Sequence, residues 1–120
     1  MKTKPIKITF YMCGFRYTLT VRQGKNHGGL CGCEDNRYIT ITLPSIENSS
    51  MFSAFLIHEL TEATLIERYH RYYNNSGCKD YTFWFTHSEF SGICEEVSGA
   101  LKQLLADPRI EKLFLDIDKT

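Results

Sequence analysis

The chain has 120 residues, with 14 basic and 14 acidic side chains, so its formal net charge is zero. That balance gives no overall electrostatic footprint for nucleic acid or for an anionic membrane surface. The apolar runs are far too short to span a bilayer, and Met1–Lys7 lacks the apolar stretch of a secretory signal, so a soluble, cytoplasmic protein is expected.

A 42% hydrophobic share is ordinary for a globular domain, and the length suffices for one core. Residues 1–120 are therefore expected to form a single domain. Five cysteines, Cys13, Cys31, Cys33, Cys78 and Cys94, make an odd set without a secretory signal, which points to reduced thiols. Cys31-Gly-Cys33 is the one close pair. Its spacing is tighter than the usual C-x-x-C zinc knuckle. Joined by Cys13 and Cys78 it would make a four-thiolate site, but free thiols are the simpler expectation.

From the N-terminus, Ile6, Ile8, Phe10 and Met12 alternate with polar or ring residues, the period of a strand. Cys13-Gly14 signals a turn. Phe15, Tyr17, Leu19 and Val21 then alternate again, completing a hairpin. Residues 23–36 are rich in glycine, asparagine and charge and read as a loop. They lack the glycine spacing of a phosphate cradle. His27 lies in this loop and reads as solvated. A third strand, residues 37–43, sets Ile39, Ile41 and Leu43 against Tyr38, Thr40 and Thr42, and Pro44 ends it.

A long helix is expected from Met51 to about Tyr73, stopped near Gly77. Phe52, Phe55, Leu56, Leu60, Ala63 and Ile66 define its apolar sector. The aromatic run Tyr81–Phe85 reads as a short strand or an aromatic wall, with core packing the simplest role for its rings. Thr86 and Glu89 have the spacing of a capping box. They open a second helix that runs to about Ala106, with Phe90, Ile93, Cys94, Val97, Leu101 and Leu104 as its buried stripe. Asp107-Pro108 breaks it and starts a short closing helix. The expected fold class is α+β: a small antiparallel or mixed sheet of about three strands packed against two main helices.

The chemistry concentrates in Phe55-Leu-Ile-His-Glu-Leu-Thr-Glu-Ala63. His58 and Glu62, four apart, stack on one face of the helix. Glu59 falls within the apolar sector and Glu62 at its margin. His58 lies just beyond, on a flank shared with Leu65 and Tyr69 that is expected to be covered. Thr61, Thr64 and Arg68 fall opposite. Ionisable groups on a covered surface cost several kcal/mol unless paired, and one metal ion serves all three.

A catalytic zinc takes three protein ligands and leaves a position for water. His58 and Glu62 supply two. The third comes from the second helix, either His87 at its start or Glu95 two turns later. These are alternatives, since they lie roughly 12 Å apart along the axis. His70 is about 18 Å from His58 along one helix and reads as a packed side chain. Glu59, beside the ion, is the candidate base for water.

At these residues the chain resembles the zincin-type metallopeptidases, and small, often phage-associated proteins with a His-Glu-Leu-x-Glu helix. The similarity covers the strand Tyr38–Leu43, the polar linker and the helix with His58-Glu59-Leu60. It implies a zincin-like fold, a zinc ion, His58 as ligand, Glu59 as base, and a peptide or protein substrate held along a strand edge. One position departs: zincins carry His where this chain has Glu62. A carboxylate there still ligates but lowers the Lewis acidity, and the donor set also suits another divalent ion. Two other readings stand beside a hydrolase. One is a non-catalytic metal-binding or protein-interaction module on the same scaffold. The other is a metal-free interaction protein, in which the carboxylates pair with Arg16, Arg22 or a lysine.

Overall fold

A computed structural model describes residues 4–34, 36–45, 50–73 and 81–115. Strands β1 (Ile6–Met12) and β2 (Phe15–Gln23) pair antiparallel, joined at Cys13-Gly14. Both turn residues have positive φ, +55° and +79°, the conformation of a two-residue type I′ turn matched to strand twist. Strand β3 (Gly28–Gly32) follows, and then β4 (Tyr38–Leu43). The sheet order is β1-β2-β4-β3: β4 runs parallel to β2, and β3 runs antiparallel to β4 as an edge. The sheet is thus mixed and has four strands. The extra strand emerges from the glycine-rich stretch expected to be a loop. Its backbone pairs with β4 from Gly28 to Gly32 despite a composition that hides any alternation.

The strands bury one face. Phe10, Tyr17, Leu19, Val21, Ile39 and Ile41 are fully covered, and the Phe10 and Tyr17 rings stack at 5.5 Å. Phe15 does not join them. It is exposed, with the Arg37 guanidinium 3.4 Å over its ring. Helix α1 (Phe52–Glu67) lies against β3 and β4 and buries Phe52, Leu56, Leu60 and Ala63. Thr64, expected on the outer face, is fully buried: its hydroxyl donates to Leu60 O at 2.8 Å and lies 3.4 Å from Met12 Sδ. Helix α2 (His87–Leu105) covers β1 and the flank of α1, and α3 (Pro108–Phe114) closes the core with Ile110 and Leu113.

α1 ends earlier than expected. Tyr69 takes a left-handed φ of +60°. Its N–H donates to Ile66 O at 3.0 Å, and the His70 N–H donates to Leu65 O at 2.7 Å. That pair of bonds is a Schellman stop, which usually falls on glycine. Gly77, the expected terminator, lies outside the described residues. Tyr69 carries the αL conformation at a cost of about 1–2 kcal/mol. The chain then turns back as β5 (Arg71–Tyr73), which pairs with β6 (Tyr81–Phe83). His70 is buried as expected, held by Glu89 Oε2 at 3.1 Å and by the edge of Phe85. The rings at Tyr81, Phe83 and Trp84 are not core. They are exposed, as is Phe90 on α2, because this small sheet stands beyond the end of α1. Cys94 is also exposed, so the buried stripe of α2 reduces to Ile93, Ala100 and Leu104, with Val97 and Leu101 half-covered.

The capping box is formed. Thr86 Oγ1 accepts from the Glu89 N–H at 3.2 Å, and Glu89 Oε1 accepts from the Thr86 N–H at 2.8 Å. These bonds, with the neighbouring His70 imidazole, hold the Glu89 carboxyl below its usual range. A depressed carboxylate pKa contributes stability that is complete above the unfolded value and lost as pH falls through the folded one. Thermal midpoints recorded through the acid range should therefore fall less steeply for Glu89→Gln than for the parent. Parallel curves would remove Glu89 from the acid response.

Candidate metal centre

The candidate ligand residues meet where α1 crosses the edge strand β3. Gly29 permits the approach: a Cβ at this position would lie 2.5 Å from Glu59 Cγ. Glu59 is therefore pressed into the seam and is only 5% exposed. Glu62, one turn on, lies over Cys31, whose thiol is 3.9 Å from Glu62 Oε2. Cys31, Glu59 and Glu62 each bring one ligand atom within 4.8 Å of the others.

The electrostatics of this group are unfavourable without a cation. Burial raises the Glu59 carboxyl above its usual range and the Glu62 charge adds to it, while His58 and the Cys31 thiol act against the rise. The Cys31 thiol is held far above its ordinary value, first by its hydrogen bond with Cys33, then by burial and by the neighbouring charges, Glu59 and Glu62 among them. A divalent ion would reverse both effects, because it favours carboxylate and thiolate alike. The donors, one sulfur and two carboxylates, are chemically suited to zinc. Among the described residues, the ion pairs include none from Arg16 or Arg22 to this cluster; the Arg22 Nε–H instead donates to Thr42 Oγ1 at 3.0 Å.

The expected site residues are distributed unevenly. Glu59 and Glu62 come together. His58 stands at the margin, its Nε2 3.7 Å from Glu59 Oε2, with 68% of the side chain exposed. Its flank is open rather than covered, because among the described residues β3 is the last strand of the sheet on that side of α1. His87 and Glu95 are exposed and belong elsewhere. His87 opens α2 two residues before Glu89, which holds His70 past the far end of α1. Glu95 lies on the stretch where α2 meets Arg68, whose guanidinium binds Glu96 at 3.2 Å. Neither belongs to the donor group formed among the described residues. Cys31 completes that group instead. The available signal was the period-two spacing of Cys31 and Cys33, which puts both thiols on one face of a strand.

Behind this group runs a polar chain. The Tyr17 hydroxyl is 2.9 Å from Glu67 Oε1 and 3.3 Å from Cys33 Sγ. Its single proton goes to the closer carboxylate. The Arg37 Nε–H donates to the same Glu67 oxygen at 2.8 Å. Glu67 is thus a nearly buried carboxylate satisfied by a phenol and a guanidinium. Tyr17→Phe removes one of these donors and should cost about 1.5 kcal/mol, the low end for a hydrogen bond to a charged group. Urea melts of the two proteins measure it, and superimposable curves would show the hydroxyl to be dispensable. Beside the chain, Cys31, Cys33, Tyr38, Ile66 and Arg71 line an open cavity of about 320 Å³.

Among the described residues, no helix is long and apolar enough to cross a membrane. Comparison of the chain with protein-family models, with curated proteins and with solved structures finds no match.

Proposed function

We propose that the protein is a metal-dependent, peptidase-like hydrolase with its ion between β3 and α1. The carrying observation is the convergence of Cys31, Glu59 and Glu62 beside the free edge of the sheet. In this reading Glu62 and Cys31 hold the ion. His58, on the same helical face as Glu62, is the third ligand. The ion is zinc or a similar divalent cation, in a zincin-like arrangement. When bound, it supplies a Lewis acid that polarises a carbonyl and lowers the pKa of water.

The chain's own groups do the rest. Glu59 accepts the proton of the attacking water, from its place beside Glu62 and Cys31. Burial in the seam restricts its rotamers. Among the described residues β3 is paired on one side only, so its outer backbone groups suit an extended peptide added as a strand. The substrate is accordingly an extended polypeptide segment.

A second reading is favoured by one feature: Glu59 is itself within the donor group, so it serves equally as a ligand in a non-catalytic metal-binding module. Elemental analysis of protein purified with zinc and then dialysed tests the metal common to both. About one zinc per chain, lost in Glu62→Ala, is expected. Only trace metal in the parent sinks both readings and leaves a metal-free interaction protein.

A further inference from the structure

We propose that Cys31 and Cys33 form a redox-active dithiol, whose oxidation to a Cys31–Cys33 disulfide withdraws Cys31 from the metal-binding group. The withdrawal rests on the function proposed above; the disulfide does not.

The two thiols lie on one face of the chain, are half-buried and reach neighbouring residues of α1, Cys31 Sγ at 3.9 Å from Glu62 Oε2 and Cys33 Sγ at 3.8 Å from Ala63 O. Cys31 is fixed within β3 opposite Ile39, whereas Cys33 lies one residue past Gly32, the last paired position. Alternate Cα atoms of a straight strand are about 6.6 Å apart, near the upper limit for a disulfide. Closure therefore needs a small backbone movement. Gly32 and the unpaired Cys33 allow it, because the residue between the cysteines has no side chain and the second cysteine is free of the ladder. Both cysteines also line the open cavity of about 320 Å³, which admits a small oxidant. The other described thiols are placed differently: Cys94 is exposed on α2, and Cys13 sits in the β1–β2 turn with its N–H on Glu96.

The oxidant is a low-molecular-weight disulfide. One cysteine sulfur loses its proton and attacks a sulfur of that disulfide, forming a mixed disulfide and releasing one thiolate. The second cysteine loses its proton, attacks the first and releases the other thiolate. Both thiolates take up protons. The protein loses two hydrogens, and the reagent is reduced to two thiols. A bond closed across so short a loop is strained, so it is readily reduced again and suits a reversible control.

The test treats the full chain with oxidised glutathione, blocks free thiols with iodoacetamide and maps the peptides by mass spectrometry. The expected product is a Cys31–Cys33 peptide lighter by two hydrogens, restored by dithiothreitol and absent from Cys33→Ser. Zinc retention should fall by at least about tenfold on oxidation of the parent, and stay unchanged on treatment of Cys33→Ser. Cys33→Ala and circular dichroism of both variants guard against a folding defect. An unreacted peptide, or glutathione stably attached to either cysteine, overturns the dithiol. A disulfide that leaves zinc retention unchanged overturns the withdrawal of Cys31. A reduced chain that never holds zinc sinks the metal reading instead, and the mass measurement still decides the dithiol.

Discussion

Glu59→Gln should lower amide hydrolysis by about 10²–10⁴-fold, the usual contribution of a positioned general base, while the protein keeps its zinc. The amide is nearly isosteric with the carboxylate, so it fills the same space against Gly29, but it cannot accept the proton. The same substitution should stabilise the metal-free chain. The parent carboxylate is buried, repelled by Glu62 and raised above its ordinary pKa. A raised carboxylate pKa means that the folded state holds its proton more tightly than the unfolded one. Stability is then greatest below the unfolded value and declines as pH rises toward the folded value. Glu59→Gln removes that decline.

The gain near neutral pH should appear as a higher thermal midpoint, by roughly 4 °C for each 1 kcal/mol in a chain this long. Calorimetry of the metal-stripped proteins and a fluorogenic peptide assay of the loaded ones measure the two effects. Loss of zinc along with activity would make Glu59 a ligand rather than the base, and a zinc-loaded parent without activity would favour the non-catalytic module. Full activity in the variant would reject Glu59 as base.

The residues that could be read in advance were those whose local signals agree. The β1–β2 hairpin, β4, the capping box of α2 and the core face of α1 each combine periodicity with a punctuating turn or cap. β3 was hidden because it is Gly-Gly-Leu-Cys-Gly. Only pairing with β4 makes it a strand, and pairing is a long-range property. The stop of α1 was misplaced because Tyr69 adopts a conformation that glycine usually marks. The donor group was half-legible. Glu59 and Glu62 follow from helical spacing alone, but Cys31 belongs to the hidden strand, and its approach to the helix depends on β3 being there. The exposure of His58 follows from strand order in the same way: an edge strand covers only part of the helix that lies over it.

Gly29→Val is expected to destabilise the protein by about 3 kcal/mol, the upper range for overpacking a filled site, although valine is the better strand former. A Cβ at Gly29 would fall 2.5 Å from Glu59 Cγ, 2.7 Å from Oε2 and 2.8 Å from Cδ. These atoms are the buried middle and head of the side chain, not a free tip that swings aside. Either β3 lifts from α1 or the carboxylate leaves the group it shares with Glu62 and Cys31, so zinc retention should fall together with stability.

The double variant Gly29→Val/Glu59→Ala distinguishes this cause from a general defect in the strand. Shortening Glu59 empties the space into which the valine projects, so the pair should recover a large part of the loss, a coupling of about 2 kcal/mol. Chemical denaturation of the parent, the two single variants and the double variant closes the cycle. Additive losses would mean that Gly29 serves the strand alone, and the fit between edge strand and helix would then play no part in holding Glu59 where its chemistry requires.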